Sequence, residues 1–300
     1  MSRIQQPSLF PAGFSSRRVS TSGADIYLVE GGDGPPLLLL HGYPQTHAMW
    51  HAVAPQLARR FRVICPDLRG YGASSKPEGG KDHAAYSKRA MAQDMVEVLD
   101  ALGVESCDVA GHDRGARVTH RLLLDHPQRV RRACVMDIAP TLHMFETTDQ
   151  RFATGYYHWF FLIQPDGLPE RLIGADPDYF LMEKLGRWSA PGAVFDQPAL
   201  DAYLQAFRSP EVIHASCEDY RAAAGIDLDH DREDRGRHIG QPLLVLWGRQ
   251  GFVHRMYDVA TVWRDHARDV TAAGLDCGHF LPEEAPQEVS AQLAAFFGED

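Results

Sequence analysis

The run PLLLLH, from Pro36 to His41, is continuously apolar over the length of one strand. A strand without polar alternation has no face to give to water. It must be covered on both sides, as in a parallel sheet flanked by helices. The runs RVIC (62–65), CDVA (107–110), RACVMDI (132–138), PLLVLW (242–247) and DVTA (269–272) repeat that demand, and ADIYLV (24–29) alternates like a strand with one wet face. Between them, Met91, Met95, Val96, Val98, Leu99 and Leu102 recur at helical spacing across 85–102, and Gly103 closes that helix. Residues 286–297 read as a last helix. Alternation of this kind predicts an α/β fold with a mostly parallel sheet.

The rhythm breaks between Ala139 and Ile239, where the pattern is helical, aromatic and punctuated by proline. The expected organisation is a core of 1–138 and 225–300 interrupted by a helical cap of 139–224. The stretch DLDHDREDRGRH (227–238) reads as a charged, solvated link back to the core, its acids paired with arginines rather than with a metal.

Several function classes are excluded by composition. A chain of 300 residues buries enough surface to need no staple, and five cysteines without a CxxC pair fit reduced thiols in the cytoplasm. The N-terminal stretch MSRIQQPSLFPAGFSSRRV has no apolar run suited to a leader, and no run is long enough to span a membrane. The formal net charge of −10 argues against nucleic acid. It also means that a small anionic ligand must be held by particular arginines against the overall field.

Such arginines occur in CDVAGHDRGARVTH (107–120). Gly111 and Gly115 flank Asp113 at two residues on either side, between a strand and a helical pattern. That spacing is the signature of a strand-to-helix elbow, whose central residue is strained and whose neighbours must be small. Asp113 stands where a nucleophile is expected. The competing reading is an ordinary acid at a helix N-terminus. A carboxylate is ionised at neutral pH and can attack saturated carbon without a base, displacing halide or opening an epoxide. Hydrolysis of the resulting ester does require a base. His279, in DCGHFLPEEAP after the last strand pattern, is placed to supply it. Asp137, at the end of the strand RACVMDI, is the preferred partner for that histidine, with Asp258 as runner-up. The backbone N–H groups of Tyr43, in HGYPQTH, and of Arg114 are expected to form an oxyanion hole. His47 and His51 are four apart but lack a third ligand, so no metal and no cofactor are expected.

Arg114 and Arg117 follow the nucleophile three residues apart on one helical face. A guanidinium matches a carboxylate with two parallel hydrogen bonds, so the pair suggests a substrate that carries a carboxylate. The alternative is that they pair with core acids or merely depress the pKa of Asp113.

The set HGYP, CPDLRGYGASS, GHDRGARV, MDIAP, YYHWF and CGHFLPEEAP, spread over nearly the whole chain, resembles the fluoroacetate (haloacetate) dehalogenases of the α/β-hydrolase superfamily. The resemblance implies the α/β-hydrolase fold, an enzyme that converts a short 2-haloacid to the hydroxyacid, and a homodimer. It also implies a halide pocket of His158, Trp159 and Tyr220, with Trp188 near the substrate carboxylate. Fluoride leaves water only if donors replace its shell, and an imidazole, an indole and a phenol supply three without bulk. Without the resemblance, YYHWFFL would read as an ordinary aromatic cap helix. Two rivals remain at this point: a soluble epoxide hydrolase, which would use two cap tyrosines (Tyr220 with Tyr156 or Tyr157), and a non-catalytic ligand-binding protein on the same scaffold.

Overall fold

A computed structural model describes residues 9–298; the start of the N-terminal stretch considered for a leader lies outside them. Among the described residues eight strands form one sheet in the order β1-β2-β4-β3-β5-β6-β7-β8. They are β1 (Phe14–Ser20), β2 (Asp25–Gly31), β3 (Pro36–Leu40), β4 (Arg62–Pro66), β5 (Cys107–His112), β6 (Val130–Met136), β7 (Leu243–Gly248) and β8 (Val270–Leu275). From β4 through β8 all pairings are parallel, whereas β1–β2 and β2–β4 are antiparallel. Leu37, Leu38, Leu39 and Leu40 are all fully buried, as the continuous apolar run requires.

The strand β1 was absent from the sequence expectation. Its sequence, FSSRRVS, is polar and exposed at most positions because it forms the sheet edge, where pairing rests on backbone hydrogen bonds rather than on a buried face. The helix Lys88–Ala101 buries Met91, Met95, Val98 and Leu99 and ends before Gly103, whose φ of +67° suits glycine. The helix Pro286–Phe297 closes the chain.

Between β6 and β7 the described residues form helices only, from Thr141–Glu146 to Ile226–Glu233. The stretch 227–238 is largely exposed with its arginines on its acids, Arg232 with Asp229 and Arg237 with Asp234, but its first part belongs to the last of these helices and is docked on the core. Asp227 is buried and pairs with Lys88, while Arg121 of the core pairs with Asp231 and Asp234. The charges are a docking surface for that helix, which the alternation of acids and arginines alone could not reveal. Among the described residues no helix is long and apolar enough to cross a membrane.

Candidate active site

Asp113 lies between β5 and the helix Arg114–Asp125 with φ of +48°, a backbone region unusual for a non-glycine residue. A methyl group at Gly115 would collide with the carbonyls of Leu40 and His41, and one at Gly111 with the main chain of Gly115. The small flanking residues are therefore required for the turn to pack against β3. The strain is kept because the surrounding sheet and helix overdetermine it.

Three side chains from three distant segments meet at this elbow. His279 Nδ1 donates to Asp137 Oδ2 at 2.6 Å, and His279 Nε2 lies 3.9 Å from Asp113 Oδ2 with no hydrogen-bond partner of its own. Asp137, just past β6, also has positive φ (+52°), and its Oδ1 accepts from the Gly248 N–H at 3.1 Å. Asp258 caps the helix Val259–Arg264 instead, accepting from Thr261. The Tyr43 N–H donates to Asp113 Oδ1 at 3.0 Å. Arg114 is the first residue of its helix, so its N–H has no partner within it.

The charges are mutually adjusted. Burial works against ionised Asp113, but His279, Arg114, His112 and Arg117 outweigh it and hold the carboxyl below its usual pKa. Burial likewise disfavours charged His279, yet the hydrogen bond and charge of Asp137, followed by Asp113 and Glu284, hold its pKa above the ordinary value. Neutralising Asp113 by esterification would remove one of those supports and favour the free-base imidazole, the form that can accept a proton from water.

The two arginines differ in their surroundings. Arg114 is bonded to Asp219 through Nε (2.9 Å) and Nη2 (2.7 Å), so the alternative of a core acid holds for this residue. Its Nη1 is buried and without a partner. Arg117 gives Nη1 to Ala139 O and Thr141 Oγ1 and Nη2 to Met144 Sδ, none of them a carboxylate, and its buried Nε is unpaired. Asp219 therefore occupies one edge of Arg114, and each guanidinium keeps one buried nitrogen without a partner, Nη1 of Arg114 and Nε of Arg117. The guanidiniums stack on Tyr220 (4.3 Å) and Trp159 (4.8 Å), which lie 6.4 Å apart.

His158 packs 5.6 Å from Tyr220 and 4.6 Å from Trp188. Burial, together with Lys184, His279, Arg114 and Arg117, pushes its pKa well below normal, so the imidazole is neutral. Trp188, which the resemblance implies near the substrate carboxylate, has its ring against His158, Tyr43 and His279, while Trp159 covers Arg117. The cause is that the helix Pro177–Trp188 ends directly on the His279 loop, where the His279 N–H donates to Trp188 O at 2.8 Å. A cavity of about 430 Å³ reaches His279 past Tyr156, Trp188 and Phe252, with Arg187 and Arg255 also on its wall.

Sequence reasoning missed Asp219 and Glu284, and left Tyr156 and Tyr157 undivided. Asp219 stands beside Tyr220 in CEDYRA, but only its pairing with Lys88 and Arg114 marks it out. Tyr156 is buried with its electrostatic surroundings dominated by Asp137 and Asp113, whereas Tyr157 is 37% exposed and bonded to Lys184. A neighbouring acid, Glu283, has a side chain only 2% exposed and accepts hydrogen bonds from Tyr203 and Gln45. Burial, opposed by the Tyr203 bond, pushes its pKa up to about 8. A raised carboxyl pKa contributes stability that is complete below the unfolded-state value and is lost as pH rises toward the folded one. Between those limits the loss is about 1.4 kcal/mol per pH unit. Urea unfolding at pH 6 and pH 8 should therefore show a steeper decline for the wild type than for Glu283→Gln. Parallel declines would reject the buried neutral acid.

The elbow, the acid–histidine pair and the sheet together make the arrangement of an α/β hydrolase. The α/β hydrolase fold model matches residues 35–286, and the chain belongs to that family. Among curated proteins it is 46% identical over 288 residues to a fluoroacetate dehalogenase from Burkholderia sp, covering 96% of this chain and 95% of that one. A soluble epoxide hydrolase from Corynebacterium sp. (strain C12) is 32% identical, covering 92% of this chain and 94% of the relative. A crystal structure of an α/β hydrolase from Nostoc sp PCC 7120 superposes with a TM-score of 0.94 at 56% identity, covering 96% of this chain and 99% of that chain. Within the α/β hydrolases, the chain falls in the family of the fluoroacetate dehalogenases, and it is an enzyme.

Proposed function

We propose that this enzyme hydrolyses short 2-haloacids, with fluoroacetate going to glycolate and fluoride. The observation that carries the reading is the pairing of a buried, ionised nucleophile with two buried guanidinium donors that have no partner, Arg114 Nη1 and Arg117 Nε. Buried cationic donors are costly to leave unpaired, and a substrate carboxylate would satisfy both.

Asp113 Oδ1 is held by the Tyr43 N–H, which leaves Oδ2 to attack the α-carbon. The new C–O bond forms as the C–F bond breaks, and fluoride leaves with the electron pair toward His158, Trp159 and Tyr220. Water in the 3.9 Å gap beside His279 Nε2 then gives it a proton and attacks the Asp113 carboxyl carbon. The oxyanion is stabilised by the N–H groups of Tyr43 and Arg114. Collapse expels glycolate, which takes the proton back from His279; the proton left on the Asp113 carboxyl passes to solvent and restores the carboxylate, and Asp137 stabilises the imidazolium in the interval. No cofactor takes part in this scheme.

Arg117→Lys keeps the charge but loses the Nε donor. We expect it to raise KM for fluoroacetate by roughly 30- to 100-fold, the worth of a hydrogen bond to a charged group, and to change turnover of neutral fluoroacetamide far less. Equal effects on the two substrates would remove the carboxylate from the role of Arg117.

One observation favours a second reading, an epoxide hydrolase. Tyr156 and Tyr220 are both buried and the charge of Asp113 acts on both, which would suit a pair of cap tyrosines serving one reaction centre. The deciding assay is fluoride release from fluoroacetate against diol formation from styrene oxide. Diol without fluoride would select the second reading.

A further inference from the structure

We infer that Glu284 is a positioning residue for the catalytic base: its carboxylate ties the His279 loop to the cap at Ala190, so that His279 and the Trp188 wall are set by one group. Glu284 Oε2 accepts from the N–H of Gly278 and from that of Ala190, each at 2.8 Å, and Oε1 accepts from the Phe280 N–H at 2.9 Å. The N–H groups of both residues flanking His279 in the chain are thus anchored to the same side chain. The main chain of His279 itself is held at both ends, its N–H by Trp188 O (2.8 Å) and its carbonyl by His112 Nε2 (2.6 Å). Gly278 lets the two segments meet, because a side chain there would strike the main chain of Trp188, Ser189 and Ala190.

Three backbone donors converging on one carboxylate cannot be served by an amide, which has one acceptor oxygen and brings two donors of its own. Glu284→Gln should therefore loosen the loop while conserving shape. Helix propensity does not account for this placement: Glu284 ends a four-residue helix, Leu281–Glu284, and two of its three bonds run back toward the base.

The kinetic consequence rests on the proposed two-step reaction. Ester formation needs Asp113 and the arginines but not His279; ester hydrolysis needs His279. A defect confined to the position of His279 slows only the second step.

The test uses the full-length enzyme as Glu284→Gln, with Glu284→Ala beside it. With fluoroacetate, each variant should release about one equivalent of fluoride at close to the wild-type rate. Steady turnover should then be roughly 10- to 100-fold slower, the cost of a small misplacement of a reacting group. A carboxymethyl ester should accumulate on the peptide containing Asp113. The second readout needs no substrate: the low-field proton resonance of the His279–Asp137 hydrogen bond should broaden or shift in Glu284→Gln while the circular dichroism spectrum is unchanged. An unaltered resonance, or a loss shared equally by burst and steady state, would overturn the assignment. If wild type releases no fluoride, the proposed reaction fails, and the resonance still decides whether Glu284 places His279.

Discussion

Asp113→Asn is expected to lower fluoride release from fluoroacetate by roughly 10⁴-fold or more, the scale seen when a nucleophile is removed from an intact site. The substitution keeps the shape of the elbow. Asparagine is among the residues that accept positive φ, so the strained turn at +48° should survive, as should the hydrogen bond from the Tyr43 N–H to the side-chain oxygen. What disappears is the negative charge that His279, Arg114, His112 and Arg117 stabilise in the wild type. An amide oxygen is a poor nucleophile toward saturated carbon, and the two guanidiniums would still bind the substrate, so kcat should collapse with little change in affinity. A fluoride electrode reads the effect, and a variant within tenfold of wild type would sink Asp113 as the attacking group. A single turnover of wild type in ¹⁸O-water adds a positive test, because the label should enter the carboxyl of Asp113 rather than glycolate.

The second large effect is the separation of the two chemical steps in His279→Gln. With no base, the ester on Asp113 should form and then persist. Fluoride should appear in one burst of about one equivalent per site, followed by turnover reduced roughly 10³- to 10⁴-fold. Mass spectrometry of the peptide containing Asp113 should show the carboxymethyl adduct. The geometry gives the reason: Nε2 is 3.9 Å from Asp113 Oδ2 without a direct bond, so His279 is placed to act on a water in the gap rather than on the nucleophile itself. If His279→Gln lost the burst together with turnover, the histidine would have to serve the first step, and the covalent scheme would need another base. The partial analogue of this experiment is Glu284→Gln, where the same imidazole is displaced but not removed.

The contrast between Arg114 and Arg117 shows where local sequence stops being informative. Their spacing puts both guanidiniums beside Asp113. Nothing in GHDRGAR says that one of them is already occupied by Asp219, an acid 105 positions further on. That pairing changes the chemistry: one edge of Arg114 is taken by Asp219, so a substrate carboxylate would meet this arginine at Nη1. The same limit separates Tyr156 from Tyr157. They are adjacent in the chain, yet one is buried beside Asp137 and Asp113 and the other is bonded to Lys184 near the surface. Trp188 and Trp159 are divided likewise, one on the His158 side and the other over Arg117.

The sequence by itself determined the parallel sheet, the elbow and the residue at its centre. Each depends on a short-range pattern: unbroken apolar runs that demand cover on two faces, small residues two before and two after Asp113, and glycine beside His279. Only the tertiary structure decided which acid partners His279, which guanidinium donors remain free, and how Glu284 links the base to the cap. Those are contacts between segments 22 to 142 residues apart, or between a loop and a helix whose approach is set by packing. Hydrogen bonds of such short reach are chosen by the position of whole elements, and no periodicity within one element can encode them.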